Sequence, residues 1–541
     1  MKNLMFIFLF LVACQDIESK HSVSNFAFTE VESGIEPTVC GSDDPTQILE
    51  VNGTGLGLFD YDNDGDLDLF VVNAASLDDF SSGVGCSLYE NQSHDTTIAF
   101  LNVTEQAGIN VFRWANGVAI GDVNDDGFED IYITCFGPNV LLTNNGDGTF
   151  EDSTDVAGVG DERWGTSAAF GDLDQDGDLD LYVCNYLEFD VHNPPPRAEY
   201  KGVQVLGGPH GMTPEMDVVY MNHGDGTFQD VTEAWQLNAT AAFSLNVVIL
   251  DVNGDGKQDV YVGNDSMANN LFINKSIEKT TFEDVALVTG ASANGDGSMQ
   301  ATMGIAVADV DRSGTPDFFT TNFSSDTNTL HVNNDGYFED RTKLFGLGLL
   351  SRSLLGWSCG FHDFDLDGDE DLLIVNGHVY PEASAQSMDS DRSQPMLWMS
   401  RVGDRFKKVS AKQEQKTFRD RAAVFGDIDG DGDTDVIVAE RNGPVRVLRN
   451  DAIGRKPLVI HLEGDAIGAS LKITLDDGTI ISRWNHSGGG FQSSSSTNPT
   501  FTFPEGSTPT KLDITWGNGD TQRIDEFPIS GALTIVHPDR N

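Results

Sequence analysis

Residues 60–68 read DYDNDGDLD, and the same nine-residue acidic loop returns as DVNDDGFED from Asp122, DLDQDGDLD from Asp172, DVNGDGKQD from Asp251, DVDRSGTPD from Asp309, DFDLDGDED from Asp363 and DIDGDGDTD from Asp427. Position 1 is Asp60, Asp122, Asp172, Asp251, Asp309, Asp363 and Asp427; position 3 is Asp62, Asn124, Asp174, Asn253, Asp311, Asp365 and Asp429. Position 5 is Asp64, Asp126, Asp176, Asp255, Ser313, Asp367 and Asp431, and position 9 is Asp68, Asp130, Asp180, Asp259, Asp317, Asp371 and Asp435. A glycine at position 6 lets the chain turn sharply and bring these oxygens together. Calcium takes six to eight hard oxygen ligands in a tolerant geometry, and this alternation supplies them from one short segment, with the carbonyl of position 7 and water completing the set. Packing several carboxylates into nine residues is repulsive without a cation, and seven repeats of that arrangement are more than turn chemistry requires. The expectation is up to seven Ca2+ ions. The site from Asp309 is expected to be the weakest, because Ser313 replaces a carboxylate and Arg312 brings a positive charge.

The loops are not EF-hands. Those need a bidentate Glu at position 12 between helices, whereas position 12 here is Val71, Ile133, Val183, Val262, Thr320, Ile374 and Val438. Short β-rich runs such as DIYITC, DVYVGN and DVIVAE follow each loop, and small apolar runs such as GVAIGD and AAVFGD precede it. Each cage therefore joins two strands.

The first Asp of successive loops lies 62, 50, 79, 58, 54 and 64 residues after the last. That period is close to a four-stranded propeller blade. A second signal interleaves: FTEV at Phe28, FLNVT at Phe100, FEDST at Phe150, FQDVT at Phe228, FEDVA at Phe282, FEDRT at Phe338 and FKKVS at Phe406. Seven cages match seven phenylalanine strands, but the first strand precedes the first cage. A linear stack would leave open edges. The expectation is an all-β chain, with residues 24–450 forming a seven-bladed β-propeller closed by its own N-terminus. Residues 452–541 carry no cage and read as short strands broken by DDG, SGGG and GNGD, a small β-sandwich capping the propeller. His486 and Ser487 beside a glycine run lack a G-x-S-x-G frame and read as a polar turn.

The loops and GDGTF turns resemble FG-GAP or VCBS repeats, also found in integrin α-subunit propellers. VQVLGGPHGM from Val203, VYMNHGDGTFQDVT from Val218 and NGHVYP from Asn376 are similar to stretches between repeats in bacterial relatives of cartilage acidic protein. DAIGASLKI from Asp465, SGGGFQSSSS from Ser487 and LDITWGNGDTQRID from Leu512 resemble the ASPIC/UnbV module. The resemblance implies calcium binding and an exported interaction protein.

Composition agrees with a cation-loaded chain. Of 541 residues, 86 are acidic and 32 basic, a formal charge of -54, and 32 of the acids lie in the seven loops. Nucleic acid and anionic membrane surfaces are poor partners for such a surface. The start, MKNLMFIFLFLVACQDIE, has Lys2, an apolar run too short to span a bilayer, and Cys14 in a lipobox-like LVAC. Residues 1–13 read as a lipoprotein signal peptide, Cys14 as the lipidated residue and 14–23 as a tether. The expected location is the outer membrane of a Gram-negative bacterium, periplasmic or surface-exposed. Export suits weak calcium sites, which need about 10⁻⁴–10⁻³ M ion. Of the remaining cysteines, Cys40 and Cys86 flank the first cage and read as a disulfide, while Cys359 reads as a buried thiol.

The longest gap carries an insertion from Glu188 to Met216 with Tyr200, Lys201 and His210. Insertions into a regular array often carry function. Arg113 with Trp114, Arg163 with Trp164, and Trp357 are candidates to gather at one mouth and suit a sugar or an acidic polysaccharide, with blade packing as the plainer alternative. His378 in NGHVYP reads as a loop hydrogen bond. Two functions follow: a surface-anchored interaction module for a protein or glycan with no catalysis, or a polysaccharide lyase or hydrolase built on the insertion and the Arg/Trp mouth. The second predicts that Tyr200, Lys201, His210, Arg113 and Arg163 converge. A third, purely structural role in the envelope requires flat faces without a pocket.

Overall fold

Each acidic loop must reverse the chain between two apolar runs, and the runs assemble into sheets accordingly. The computed structural model describes residues 26–538, apart from 75, 78–82, 95–96, 238–239, 410–415, 465 and 496–497. The signal peptide, Cys14 and the tether lie outside the described residues. Among those described, no helix is long and apolar enough to cross a membrane.

The repeats make seven four-stranded antiparallel sheets. The first comprises Leu56–Phe59, Asp68–Val71, Ser87–Asn91 and Phe100–Asn102. The next five repeat that order, with inner strands Ala115–Gly121, Gly165–Gly171, Ser244–Leu250, Ile305–Ala308 and Gly356–His362. The seventh takes Asp420–Gly426, Asp435–Glu440 and Val445–Asn450 from the end of the array and Phe28–Val31 from its start, Phe28 lying opposite Asn450. The FTEV segment thus closes the ring, as its position before the first cage requires. Phe28 packs on Trp398, ring centroids 4.5 Å apart, and on Phe364 at 5.6 Å.

Inner strands crowd the axis, which explains their small residues: ANGVAIG and GTSAAFG are buried throughout. Second strands such as DIYITC are buried on both faces, so their apolar runs are unbroken. The outermost strands bury only the phenylalanine of FED. Apolar clusters fill the seams between neighbouring sheets. The seam between the seventh and first sheets joins Leu56, Leu58 and Val71 to Val424, Ile437 and Val447. At about 1.5–3 kcal/mol per fully buried large side chain, each seam outweighs any single turn.

The C-terminal region forms a three-stranded sheet (Thr500–Phe501, Leu458–Glu463, Gly531–Val536) and a four-stranded one (Ile480–Asn485, Ala469–Leu475, Pro509–Thr515, Thr521–Ile524). They face each other across Leu458, Ile460, Leu471, Ile473, Phe501 and Trp516. This sandwich sits on the cage side of the ring. Arg455 donates to the Asp367 carbonyl at 2.8 Å, Gln258 to the Gly517 carbonyl at 2.9 Å, and Arg483 pairs with Glu370 at 3.2 Å.

The glycine run does not form a polar turn. Ser487–Gly488 adds a fifth strand to the fourth sheet, opposite Val248 and Ile249. Gly490 exchanges backbone hydrogen bonds with Ile305, and Gln492 accepts from Val118 N at 3.2 Å. Ser494 N donates to the Leu56 carbonyl and its own carbonyl accepts from Leu58 N, both at 3.0 Å. Phe491 is fully buried against Trp357, centroids 4.7 Å apart. SGGGFQSS is thus a plug threaded into the channel, and its glycines are needed for fit: a Cβ on Gly488 would lie 2.1 Å from the Val247 carbonyl oxygen. His486 is half-buried at its root, with a pKa pushed down to about 4 by desolvation.

Two further expectations are corrected. Cys40 and Cys86 are free, as are Cys135, Cys184 and Cys359. Cys40 packs in the central cluster with its thiol on the Glu50 carbonyl, whereas Cys86 lies in the seam between the first two sheets. Trp114, Trp164 and Trp357 do converge, as buried members of that central cluster, and of the three only Trp357 also lines the cavity at one mouth of the ring.

Candidate metal centres

The position-1 carboxylate organises each loop. Asp60 accepts from the backbone N–H of Asp64 and of Gly65, and the equivalent pair of bonds forms at Asp122, Asp172, Asp251, Asp309, Asp363 and Asp427. The turn needs left-handed backbone twice. Position 6 is glycine throughout, with Gly65 at φ 96°. Position 4 is also left-handed, and only the loops from Asp251 and Asp427 use glycine there; Leu366 holds φ 56°, a strained value for such a side chain.

The position-9 aspartate ties the cage to its sheet. Asp68 Oδ2 accepts from Tyr61 N at 3.1 Å and Oδ1 from Asn91 N, at the end of the third strand, at 2.7 Å. All seven loops repeat this. In six sheets that third-strand residue is asparagine, and its Nδ2 reaches position 2 of the preceding sheet's cage: Asn144 to Tyr61 O at 2.8 Å, Asn222 to Val123 O at 2.8 Å, Asn450 to Phe364 O at 3.0 Å. Asn91, Asn274 and Asn333 do the same. The sixth sheet has Arg401 instead, its guanidinium near the Phe345 and Phe406 rings. This belt was missed from sequence, although an Asn at the end of the third strand in six of the seven repeats (SLYEN, VLLTN, VVYMN and NLFIN among them) was there to find.

In five loops the carboxylates of positions 1, 3 and 9 offer oxygens all within 4.8 Å of one another: Asp60, Asp62 and Asp68; Asp172, Asp174 and Asp180; Asp309, Asp311 and Asp317; Asp363, Asp365 and Asp371; Asp427, Asp429 and Asp435. The loops from Asp122 and Asp251 carry Asn124 and Asn253 at position 3 and so lack the third carboxylate. Position 5 does a second job, with Asp64 Oδ1 accepting from Asp66 N at 2.9 Å. Within the cages Asp62 Oδ1, Asp174 Oδ1 and Asp429 Oδ1 are buried without a hydrogen-bond partner. Burial also pushes the position-9 carboxyls up, Asp68 and Asp317 to about 8 and Asp130 to about 7, with neighbouring aspartates adding to the shift. An orphaned buried oxygen among converging carboxylates fits a hard cation. Arg312 does not point into its own loop; it pairs with Asp369 of the next one. Ser313 therefore remains the main difference of the Asp309 site, and its hydroxyl is engaged with Thr315 Oγ1 at 2.8 Å.

The other singled-out residues disperse. Arg113 is exposed, and Arg163 pairs with Asp161 at 3.1 Å and donates to the Met216 carbonyl. Lys201 turns to the Met388 carbonyl at 2.8 Å. Tyr200 and His210 do share a cavity at the mouth opposite the cages. His378 is buried, accepts from Tyr380 N at 3.1 Å, and lies 3.1 Å from Ser324 Oγ.

FG-GAP-like repeats match at residues 122–183, 205–262, 251–320 and 309–374, and the ASPIC and UnbV domain at 461–541. No curated protein matched the chain. Among solved structures it is similar to an Agrocybe aegerita lectin that recognises non-reducing terminal N-acetylglucosamine, at 16% identity and TM-score 0.39, covering 67% of this chain and 82% of that one. It is also similar to a Bacillus licheniformis rhamnogalacturonan lyase, at 13% identity and TM-score 0.38, covering 80% and 76%. Likenesses this distant carry no activity across. The repeat and domain matches, on sheets that close through the N-terminal strand, make this chain a member of the FG-GAP-like repeat proteins with a C-terminal ASPIC and UnbV domain.

Proposed function

We propose that this protein is a calcium-loaded propeller that works as an exported interaction module for a glycan or protein, tethered to the membrane through a lipid on Cys14. The observation that carries the calcium reading is the convergence of position-1, -3 and -9 oxygens, three of the loops holding a buried oxygen with no hydrogen-bond partner. Each ion would tie two strands of one sheet through a loop that otherwise repels itself, so the ring is stiff when loaded and can present a fixed face. The cage side is covered in part by the C-terminal sandwich, which leaves the opposite mouth for a partner. The lyase or hydrolase reading asked five side chains to converge, and only Tyr200 and His210 line the same cavity.

Thermal melting in millimolar calcium and in excess chelator tests the cage reading, and an unchanged midpoint sinks it. Mass spectrometry of the mature N-terminal peptide tests the anchor: an unmodified Cys14, or a Cys14→Ser protein that stays with the membrane, rules it out.

A further inference from the structure

A cavity of about 960 Å3 opens at the mouth away from the cages. Small-ligand sites span about 300–1,000 Å3. One wall is a cluster of three rings from three parts of the chain: Tyr200 of the insertion, Phe323 after the second strand of the fifth sheet, and Tyr380 after the second strand of the sixth, with centroids 5.7–5.9 Å apart. The insertion is clamped in place. Arg197 pairs with Glu382, Tyr200 Oη donates to the Ser324 carbonyl at 3.2 Å, and Lys201 holds the Met388 carbonyl.

The remaining lining mixes apolar side chains, among them Ile48, Leu245, Met303 and Leu355, with polar ones whose charges are unbalanced. Glu199, Asp265, Asp296, Asp326 and Asp340 face only Lys343 and Arg352 as fixed cations. Asp265 is held rigidly, accepting from Tyr186 Oη at 2.7 Å and Ser266 Oγ at 2.9 Å. At the floor Asn52 is 5% exposed, and its Nδ2 donor has no partner. An unspent buried donor asks the ligand for an acceptor oxygen. The carboxylates ask for donors, and the rings offer apolar faces. Hydroxyl-rich molecules with apolar C–H faces meet all three requirements. Polyanions do not, because the carboxylate excess and the charge of -54 oppose them.

We infer that this cavity is the ligand site and takes an oligosaccharide of neutral or amino sugars, excluding uronic-acid polymers. The inference rests on the interaction-module reading and assigns it a place and a chemistry. The test is binding of the purified full chain, in millimolar calcium, to immobilised oligomers of glucose, galactose, mannose, N-acetylglucosamine and glucosamine, alongside oligogalacturonates and lysine-rich peptides. At least one neutral or amino series binds, and oligogalacturonates of equal length bind at least tenfold more weakly. Tyr380→Ala and Asp326→Asn each weaken binding at least tenfold. Asp326→Asn guards against a folding defect, since among the described residues the Asp326 side chain accepts only from its neighbour Thr327 N, at 2.8 Å. Binding of none of the neutral or amino series, preference for uronates or lysine-rich peptides, or indifference to both variants overturns the inference. Melting the same samples with chelator separates the two readings: a calcium response without glycan binding defeats the site alone, whereas a missing calcium response defeats the cage reading.

Discussion

The cage side and the opposite mouth use their polar groups in opposite ways. On the cage side the same bonds recur seven times: position 1 on two backbone N–H groups of its own loop, position 9 on the third strand. The asparagine belt then spends its side chains on the neighbouring sheet. At the mouth nothing repeats; an insertion crosses it, and Asn52 keeps a buried donor unspent. Repetition marks what holds the ring together, and each side leaves buried groups without a hydrogen-bond partner: cage oxygens that suit a cation, and at the mouth a donor that suits a ligand oxygen. The one gap in the belt, Arg401, shows that the ring tolerates the loss of a single inter-sheet tie.

Chelation is the largest perturbation of the cage side. A site held at one hundred times its Kd contributes about 2.7 kcal/mol, and several act together. Its pH dependence has a definite sign. Asp68, Asp317 and Asp130 have folded-state pKa values raised by burial to about 8, 8 and 7, from an ordinary 3.8. The metal-free fold therefore binds protons that the unfolded chain has released, and their stabilisation is full below about pH 4 and lost as pH rises through 7–8. The gap between calcium and chelator midpoints should widen from pH 5 to pH 8; a constant gap would break the link between cage and stability.

Phe491→Ala comes next, because it empties the plug's buried anchor at about 3–5 kcal/mol. Urea midpoints and faster proteolysis within 452–541 report it, and a wild-type cleavage pattern would show that the plug does not hold the sandwich on. Asn144→Ala removes the tie to Tyr61 O and should cost about 1–3 kcal/mol. Equal midpoints for variant and parent would mean that the belt is incidental. The smallest effect is expected from Ser313→Asp, which restores a position-5 carboxylate: calorimetry should show the weakest calcium step tighten severalfold, and no change would mean that Ser313 does not set it.

Much of the molecule was legible in order of locality. The cages could be read because nine consecutive residues carry both the turn and the oxygens. The closing strand could be read because FTEV precedes the first cage and needs a sheet that lacks one. The cysteines misled because flanking a cage in sequence says nothing about which apolar seam receives each thiol. Trp114 and Trp164 sit beside arginines in sequence, yet their rings turned inward to the central cluster while Arg113 stayed in solvent.

The amino-acid sequence by itself determined the seven acidic turns and the strand alternation around them, since each depends on contacts within a few tens of residues and repeats too often to be accidental. Only the tertiary structure decided the plug, the belt and the mouth cavity. Ser494 meets Leu56 across more than four hundred residues, and Asn52 lines one cavity with the distant insertion; such placements follow from ring closure and seam packing, which no local pattern encodes.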